Sequence, residues 1–133
     1  MGSSPESTVR NFLAAFTDRS VEKLVGFFSD DAVFDAGPRG VHRGKAAIRS
    51  EFEAELAMGF ESINIDVNSL VANGGVVMME GVENYIIGGR PFFLETIGAF
   101  DINPDGQITR WRYSYDLKPL TEQLVAAGFK VPT

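Results

Sequence analysis

In Glu61-Ser-Ile-Asn-Ile-Asp-Val67 the periodicity of the chain changes. Ile63, Ile65 and Val67 alternate with Ser62, Asn64 and Asp66. A period of two puts alternate side chains on opposite faces, which marks a half-buried strand. Downstream, turn chemistry recurs at hairpin spacing, in Asn73-Gly74-Gly75, Gly88-Gly89 and Asn103-Pro104-Asp105-Gly106. These turns predict strands near 61–72, 75–87, 90–102 and 107–116, joined as an antiparallel meander. Pro119 then allows a last short helix through Leu120 and Leu124.

Upstream of residue 61 the period is helical. Ser4 is a capping hydroxyl and Pro5 suits the first helical position. Val9, Phe12, Leu13 and Phe16 make one apolar stripe through about residue 17. Asp18-Arg19-Ser20 breaks it, and Ser20 caps a second short helix expected to carry Leu24, Phe27 and Phe28. Ala32-Val-Phe-Asp-Ala36 predicts a short strand and Gly37-Pro38-Arg39-Gly40 a turn. A third helix follows Gly44, with Ile48, Phe52 and Leu56 on one face. Helices first and strands later predict an α+β architecture, with helices over one face of a curved sheet and an apolar cavity between the layers.

Composition sets the outer bounds. A chain of 133 residues is read as one domain over 1–133. Its 44% hydrophobic content and 11 Phe can build a substantial core, and confine expected disorder to Met1-Gly-Ser-Ser4. The net charge of −6 argues against nucleic acid as a partner, because phosphate binding needs a basic face. Arg39, His42, Arg43, Lys45 and Arg49 cluster locally and are read as a solvated edge. Without cysteine there is no thiolate chemistry and no disulfide. No basic segment leads into an apolar one at the N-terminus, and no apolar run approaches the roughly 20 residues that span a bilayer. The expectation is a cytoplasmic protein with no membrane partner.

Several motif fragments dissolve on inspection. Gly40-Val-His-Arg-Gly44-Lys45-Ala46 is one residue too short between glycines for a phosphate loop, and alanine stands where Ser or Thr belongs. Asp101-Ile-Asn103-Pro-Asp105-Gly106 starts like a calcium loop, but its twelfth position is Arg112 rather than Glu. His42 sits on an expected loop without a second imidazole, so no metal and no cofactor is expected. No Gly-x-Ser-x-Gly elbow supports serine nucleophile chemistry.

Two strands carry the chemistry that remains. In Met79-Glu80-Gly81-Val82-Glu83-Asn84-Tyr85, alternation puts Met79, Gly81, Glu83 and Tyr85 on one face. In Thr109-Arg-Trp111-Arg-Tyr113-Ser-Tyr115 it lines up Trp111, Tyr113 and Tyr115. Buried phenols need hydrogen-bond partners. A carboxylate buried among Met and aromatic side chains has its pKa raised, which makes a useful general base near neutral pH. Glu83 is therefore the candidate base and Tyr113 the candidate donor, with Tyr85 or Tyr115 in support. Phe16, Phe34, Leu94, Thr96 and Trp111 are expected to shape a pocket for a small apolar ligand or substrate.

The tail Gly106-Gln-Ile-Thr-Arg-Trp-Arg-Tyr-Ser-Tyr-Asp-Leu117 resembles limonene-1,2-epoxide hydrolases, whose last strand reads like Gly-x-Ile-x-x-Trp-Arg-Asp-Tyr-Phe-Asp-Leu. Val9-Arg-Asn-Phe-Leu-Ala-Ala-Phe16 through Phe28-Ser-Asp-Asp-Ala-Val33 looks like the opening of the wider nuclear-transport-factor-2-like (NTF2-like) superfamily, with its SnoaL-like cyclases and ketosteroid isomerases. The resemblance implies a cone-shaped domain with a strongly curved antiparallel sheet, and a homodimer through the outer sheet face. It does not carry the hydrolase machinery across. That family's Arg-x-Asp pair falls on Gly81-Val82-Glu83, its second Asp on Tyr113, and its water-holding Tyr and Asn on Phe34 and Ala36. The isomerase pattern fares similarly: its Tyr falls on Phe12, its protonated Asp on Gly98 and its base near Ala36, with Asp35 turned to the opposite face.

Two function classes follow. One is a cofactor-independent acid–base enzyme with Glu83 as base. It would open an epoxide by water or by an internal nucleophile, or move a proton next to a carbonyl. The other is a non-catalytic binding or interaction domain on the same scaffold.

Overall fold

The computed structural model describes residues 4–130, so Met1–Ser3, expected to be disordered, lie outside the described residues. Ser4, the last of that group, is a working helix cap: its Oγ accepts the Ser7 N–H at 3.1 Å. Helix α1 (Pro5–Ala15) starts there with proline in its first turn, and buries Val9, Phe12 and Leu13 on one face. A 3-10 turn (Phe16–Asp18) ends it, closed by Arg19 in the left-handed region at φ 50°. Helix α2 (Val21–Val25) is capped by Ser20, which accepts from the Lys23 N–H at 3.2 Å.

Here the expectation needs correcting. Gly26 closes α2, Phe27 leaves it, and Phe28 opens strand β1 (Phe28–Asp35). Their helical spacing was misleading because both rings seek the same partner. Phe27 and Phe28 each meet Phe12 edge-on, at 5.4 and 5.3 Å between centroids. The strand is correspondingly longer than the Ala32–Ala36 segment. After a 3-10 turn (Gly37–Arg39), Val41–Arg43 form strand β2, paired antiparallel to β1. His42 is thus on an edge strand opposite Phe34, not on a loop. Helix α3 (Lys45–Leu56) follows.

The period-two half of the chain folds as its turns dictate. Strands β3 (Ser62–Asn73), β4 (Val76–Ile87), β5 (Arg90–Ile102) and β6 (Ile108–Ser114) pair in sequence as an antiparallel meander. Gly88 and Gly89 both take positive φ, 58° and 75°. A two-residue hairpin turn of matching twist demands that, and only glycine adopts it freely. The full sheet has the order β2-β1-β6-β5-β4-β3, and β1 joins β6 in parallel, a pairing that the meander alone does not predict. Helix α4 (Leu117–Ala126) is capped by Asp116, with Pro119 inside its first turn. It is tied to β5 by Gln123, whose amide accepts from the Phe93 N–H and donates to the Phe93 carbonyl, both at 3.0 Å.

A register shift between Val67 and Ser69 puts a bulge in β3, and bulges bend a sheet. Gly81 faces that bend. A Cβ there would meet the Asp66 carbonyl oxygen at 2.3 Å, so no side chain fits without moving backbone. Under the concave face, Trp111 is the hub. It stacks on Phe34 (4.3 Å, 6°) and on Phe100 (5.3 Å, 13°), and takes Phe12 edge-on at 4.9 Å. Each such ring fully removed from water contributes roughly 1.5–3 kcal/mol of transfer free energy. No described helix is long and apolar enough to cross a membrane.

Candidate active site

Beyond the Trp111 hub, the concave face of the sheet does not close. A cavity of about 110 Å³ remains between β4, β5 and β6 on one side and the end of α3 on the other. One water needs roughly 10–15 Å³ on the same measure, so the space suits a small molecule. Its lining includes Phe16, Phe34, Phe52, Ile63, Leu94 and Trp111, which make it largely apolar. Glu83, Tyr85, Tyr113 and Tyr115 lie on the same lining. A wider, shallower groove beside α4, lined by Asn64, Asn84 and Phe93, brings no carboxylate with it.

Of the expected pocket residues only Thr96 is absent from the lining. It is buried at 3% exposure behind Tyr113, whose hydroxyl lies 2.9 Å from its Oγ1. Its role is to fix that phenol. Tyr115 is likewise committed, donating to the Ala36 carbonyl at 2.7 Å. Phe34, where the resemblance would place a tyrosine, is the stacking partner of Trp111.

Strand alternation aims Glu83 inward, between Ile65 of β3 and Leu94 of β5. The Tyr85 hydroxyl donates to Glu83 Oε1. The Tyr85 ring is held in turn by stacking on Phe60, at 4.8 Å and 19°. Burial among these groups pushes the Glu83 carboxyl up from the usual range, while the neighbouring phenols of Tyr113 and Tyr85 pull it part of the way back. The phenols move the same way. Burial first, and then the Glu83 charge, raise Tyr85 and Tyr113 above the ordinary phenol range. At neutral pH both keep their protons, which Tyr85 donates to Glu83 and Tyr113 to Thr96.

Across the cavity stands a second acidic group that the sequence reading missed. Helical spacing puts Ile48, Glu51, Phe52 and Glu55 on one face of α3, and the two acids were passed over for the apolar pair. Two carboxylates inside an apolar i, i+3, i+4, i+7 stripe are the signal that could have found them. Glu51 is 5% exposed and is held by the Arg39 guanidinium, Nε to Oε2 at 2.5 Å and Nη2 to Oε1 at 3.2 Å. That hydrogen bond is the main reason the Arg39 pKa rises. Glu55 receives only the edge of the same guanidinium, at 3.7 Å. Its carboxyl is pushed well above the usual range, first by burial, then by the charges of Glu83 and Glu51. Both Glu55 and Glu83 keep some accessible surface because they line an open cavity, yet their surroundings are mostly protein.

Arg39 also lines this cavity. Its guanidinium enters from the β1–β2 connection, a direction that a strand-by-strand reading does not reveal. His42 bonds the Arg39 carbonyl through Nε2 at 3.1 Å and lies 3.7 Å from Glu51, which makes it a brace behind the arginine.

Several solved structures share this architecture. An LEH-like epoxide hydrolase of M. tuberculosis superposes with a TM-score of 0.76 at 21% identity, over 92% of this chain and 90% of that one. A protein of ketosteroid-isomerase-like fold from Catenulispora acidiphila, solved with trimethylamine, gives 0.78 at 21% identity, over 98% and 100%. SalBIII, an epoxide hydrolase/cyclase-like enzyme of pyran ring formation in salinomycin, gives 0.75 at 17% identity, over 86% and 92%. At such identities the likeness establishes the NTF2-like fold. The sequence itself matches a family model, the SnoaL-like domain, across residues 9–111. On that match over most of its length, the chain belongs to the SnoaL-like domain family.

Proposed function

We propose that this protein is a cofactor-independent acid–base enzyme that opens the epoxide ring of a small apolar substrate, with Glu83 as general base. The observation that carries this is one carboxyl group on the lining of an apolar pocket, held by the Tyr85 hydroxyl, in surroundings whose burial favours its neutral form. A carboxylate of raised pKa is a stronger base than one in water, and near neutral pH enough of it is ionised to act. Glu83 would take a proton from a water, or from a hydroxyl of the substrate itself. That oxygen would then attack an epoxide carbon and break the C–O bond. Tyr85 would hold the base, and Tyr113 would turn its O–H dipole to the developing negative charge. Phe16, Phe34, Leu94 and Trp111 would exclude bulk water. The likeness to epoxide hydrolase and hydrolase/cyclase-like structures supports this reaction class.

One observation favours a second reading. Gly81, Phe34 and Tyr113 depart together from the hydrolase pattern, and Gly81 has no room for a side chain. The same base and phenols would serve proton transfer next to a carbonyl, as in SnoaL-like cyclisation, or a pocket that only binds. Product formation from a panel of epoxides that includes limonene oxide, with intact protein and Glu83→Gln, separates the readings. Diol or cyclised product reduced about 10²–10⁴-fold in the variant is the expected result. Product that survives the substitution removes Glu83 from the mechanism, and no product from any epoxide favours the second reading. The outer sheet face exposes Val71, Met78 and Ile97. We propose pairing of two protomers through it, and sedimentation of the intact protein tests that.

A further inference from the structure

Three carboxyl groups, Glu51, Glu55 and Glu83, share the region around the cavity with one guanidinium, that of Arg39. The guanidinium is not shared evenly. Both of its hydrogen bonds go to Glu51. Glu55 is left beside Glu51 one helical turn away, with Glu83 facing it from β4. Glu55 has only the 3.7 Å edge of that guanidinium and lines the cavity with Glu83. With Arg39 bound to Glu51, the proton of this group of acids belongs to Glu55, whose neutral form burial and the two neighbouring carboxylates favour.

In the resting pocket both phenols have already placed their protons: Tyr85 donates to Glu83 and Tyr113 to Thr96. Resting on the acid–base reading above, we infer that Glu55 is the proton donor of this pocket, set against Glu83 as its base. The groups facing Glu55 are Arg39 from the turn after β1, Glu51 on its own helix, Glu83 and Tyr85 on β4, and Tyr113 and Tyr115 beyond. Burial, Glu83 and Glu51 favour its neutral form, and Arg39 opposes it.

The step balances. Glu83 accepts a proton from the attacking water as its oxygen bonds to an epoxide carbon. The ring C–O bond at that same carbon breaks, and its electron pair, left on the ring oxygen, takes the proton of the Glu55 carboxyl. The product is a diol, with Glu83 neutral and Glu55 ionised. A proton passed between them through solvent restores the starting state. With a substrate hydroxyl in place of water the same transfers give a ring and no net addition.

The test pairs two readouts on the intact chain: Cδ titration of ¹³C-labelled glutamates, and epoxide turnover by Glu55→Gln and Glu83→Gln. An amide at position 55 keeps the shape and adds no charge to the pocket, so folding is retained. The expected results are a Glu55 midpoint well above the ordinary range that falls in Glu83→Gln, and at least about a 10²-fold loss of kcat in Glu55→Gln. That variant also loses the alkaline fall in its pH–rate profile. Turnover that needs Glu83 but ignores Glu55→Gln overturns the inference and leaves the acid–base reading intact. If the wild type opens no epoxide, the reaction reading fails, and the titration alone decides: an ordinary Glu55 midpoint overturns the inference, a raised one upholds Glu55 as the pocket's acid.

Discussion

The concave face of the sheet has two ends built from the same strands but to opposite rules. At one end Phe12, Phe28, Phe100 and Trp111 interlock with no more than 1% exposure and leave no room. At the other, the inward positions of β4 and β6 carry Gly81, Glu83, Tyr85 and Tyr113, and α3 contributes Glu51 and Glu55. Strand alternation cannot tell these ends apart, since both read as inward residues. What separates them is the cover. Helix α1 lays an aromatic face over the first end, whereas the last turns of α3 bring acids to the second. Stability is therefore concentrated at the closed end, and groups poised for chemistry at the open one.

The largest expected contrast on stability comes from Phe12→Ala. It removes the ring that meets Phe16, Phe27, Phe28, Phe52, Phe100 and Trp111. A loss of about 3–5 kcal/mol is expected by urea unfolding. A loss under 1 kcal/mol would mean that the closed end is not where stability resides.

A smaller effect is expected at the boundary between the ends. Gly81→Ala drives a methyl group into the Asp66 carbonyl oxygen across the β3 bulge. Overpacking of this kind costs about 1–3 kcal/mol. Unchanged stability would show that the bend is soft, and that glycine at 81 is a matter of chemistry rather than backbone.

The smallest effect should come from Glu83→Gln, and its sign should depend on pH. The folded-state pKa of Glu83 lies above its unfolded value. Its contribution to stability is then full below the unfolded pKa, about 4.3, and is lost as pH rises through the folded value. An amide has no such loss. Relative to wild type, the variant should gain stability as pH rises from the acid side through that window. A gain in the reverse direction would require Glu83 to be stabilised as the anion, like a structural ion pair.

The sequence made the closed end legible and only half of the open one. Turn residues delimited β3 to β6 to within two residues, because glycine at positive φ is a local requirement. Phe27 and Phe28 went astray because helical spacing and a strand start are indistinguishable over so few residues. Alternation alone aimed Glu83, Tyr85 and Tyr113 at one another. Arg39 and Glu55 were missed for a different reason: their meeting depends on how the β1–β2 connection and α3 pack on the sheet, which no local pattern records. Thr96 is expected to shape the pocket, yet the bulk of Tyr113 stands in front of it.

The central claim is that burial at the open end makes Glu83 a base, against the restraint of the phenols beside it. Cδ titration of Glu83 in the wild type and in Tyr85→Phe tests this most directly. The account predicts a midpoint above the ordinary carboxylate range in the wild type, and a higher one in Tyr85→Phe, since that hydroxyl holds the pKa down. An ordinary midpoint that does not move with the substitution would contradict it.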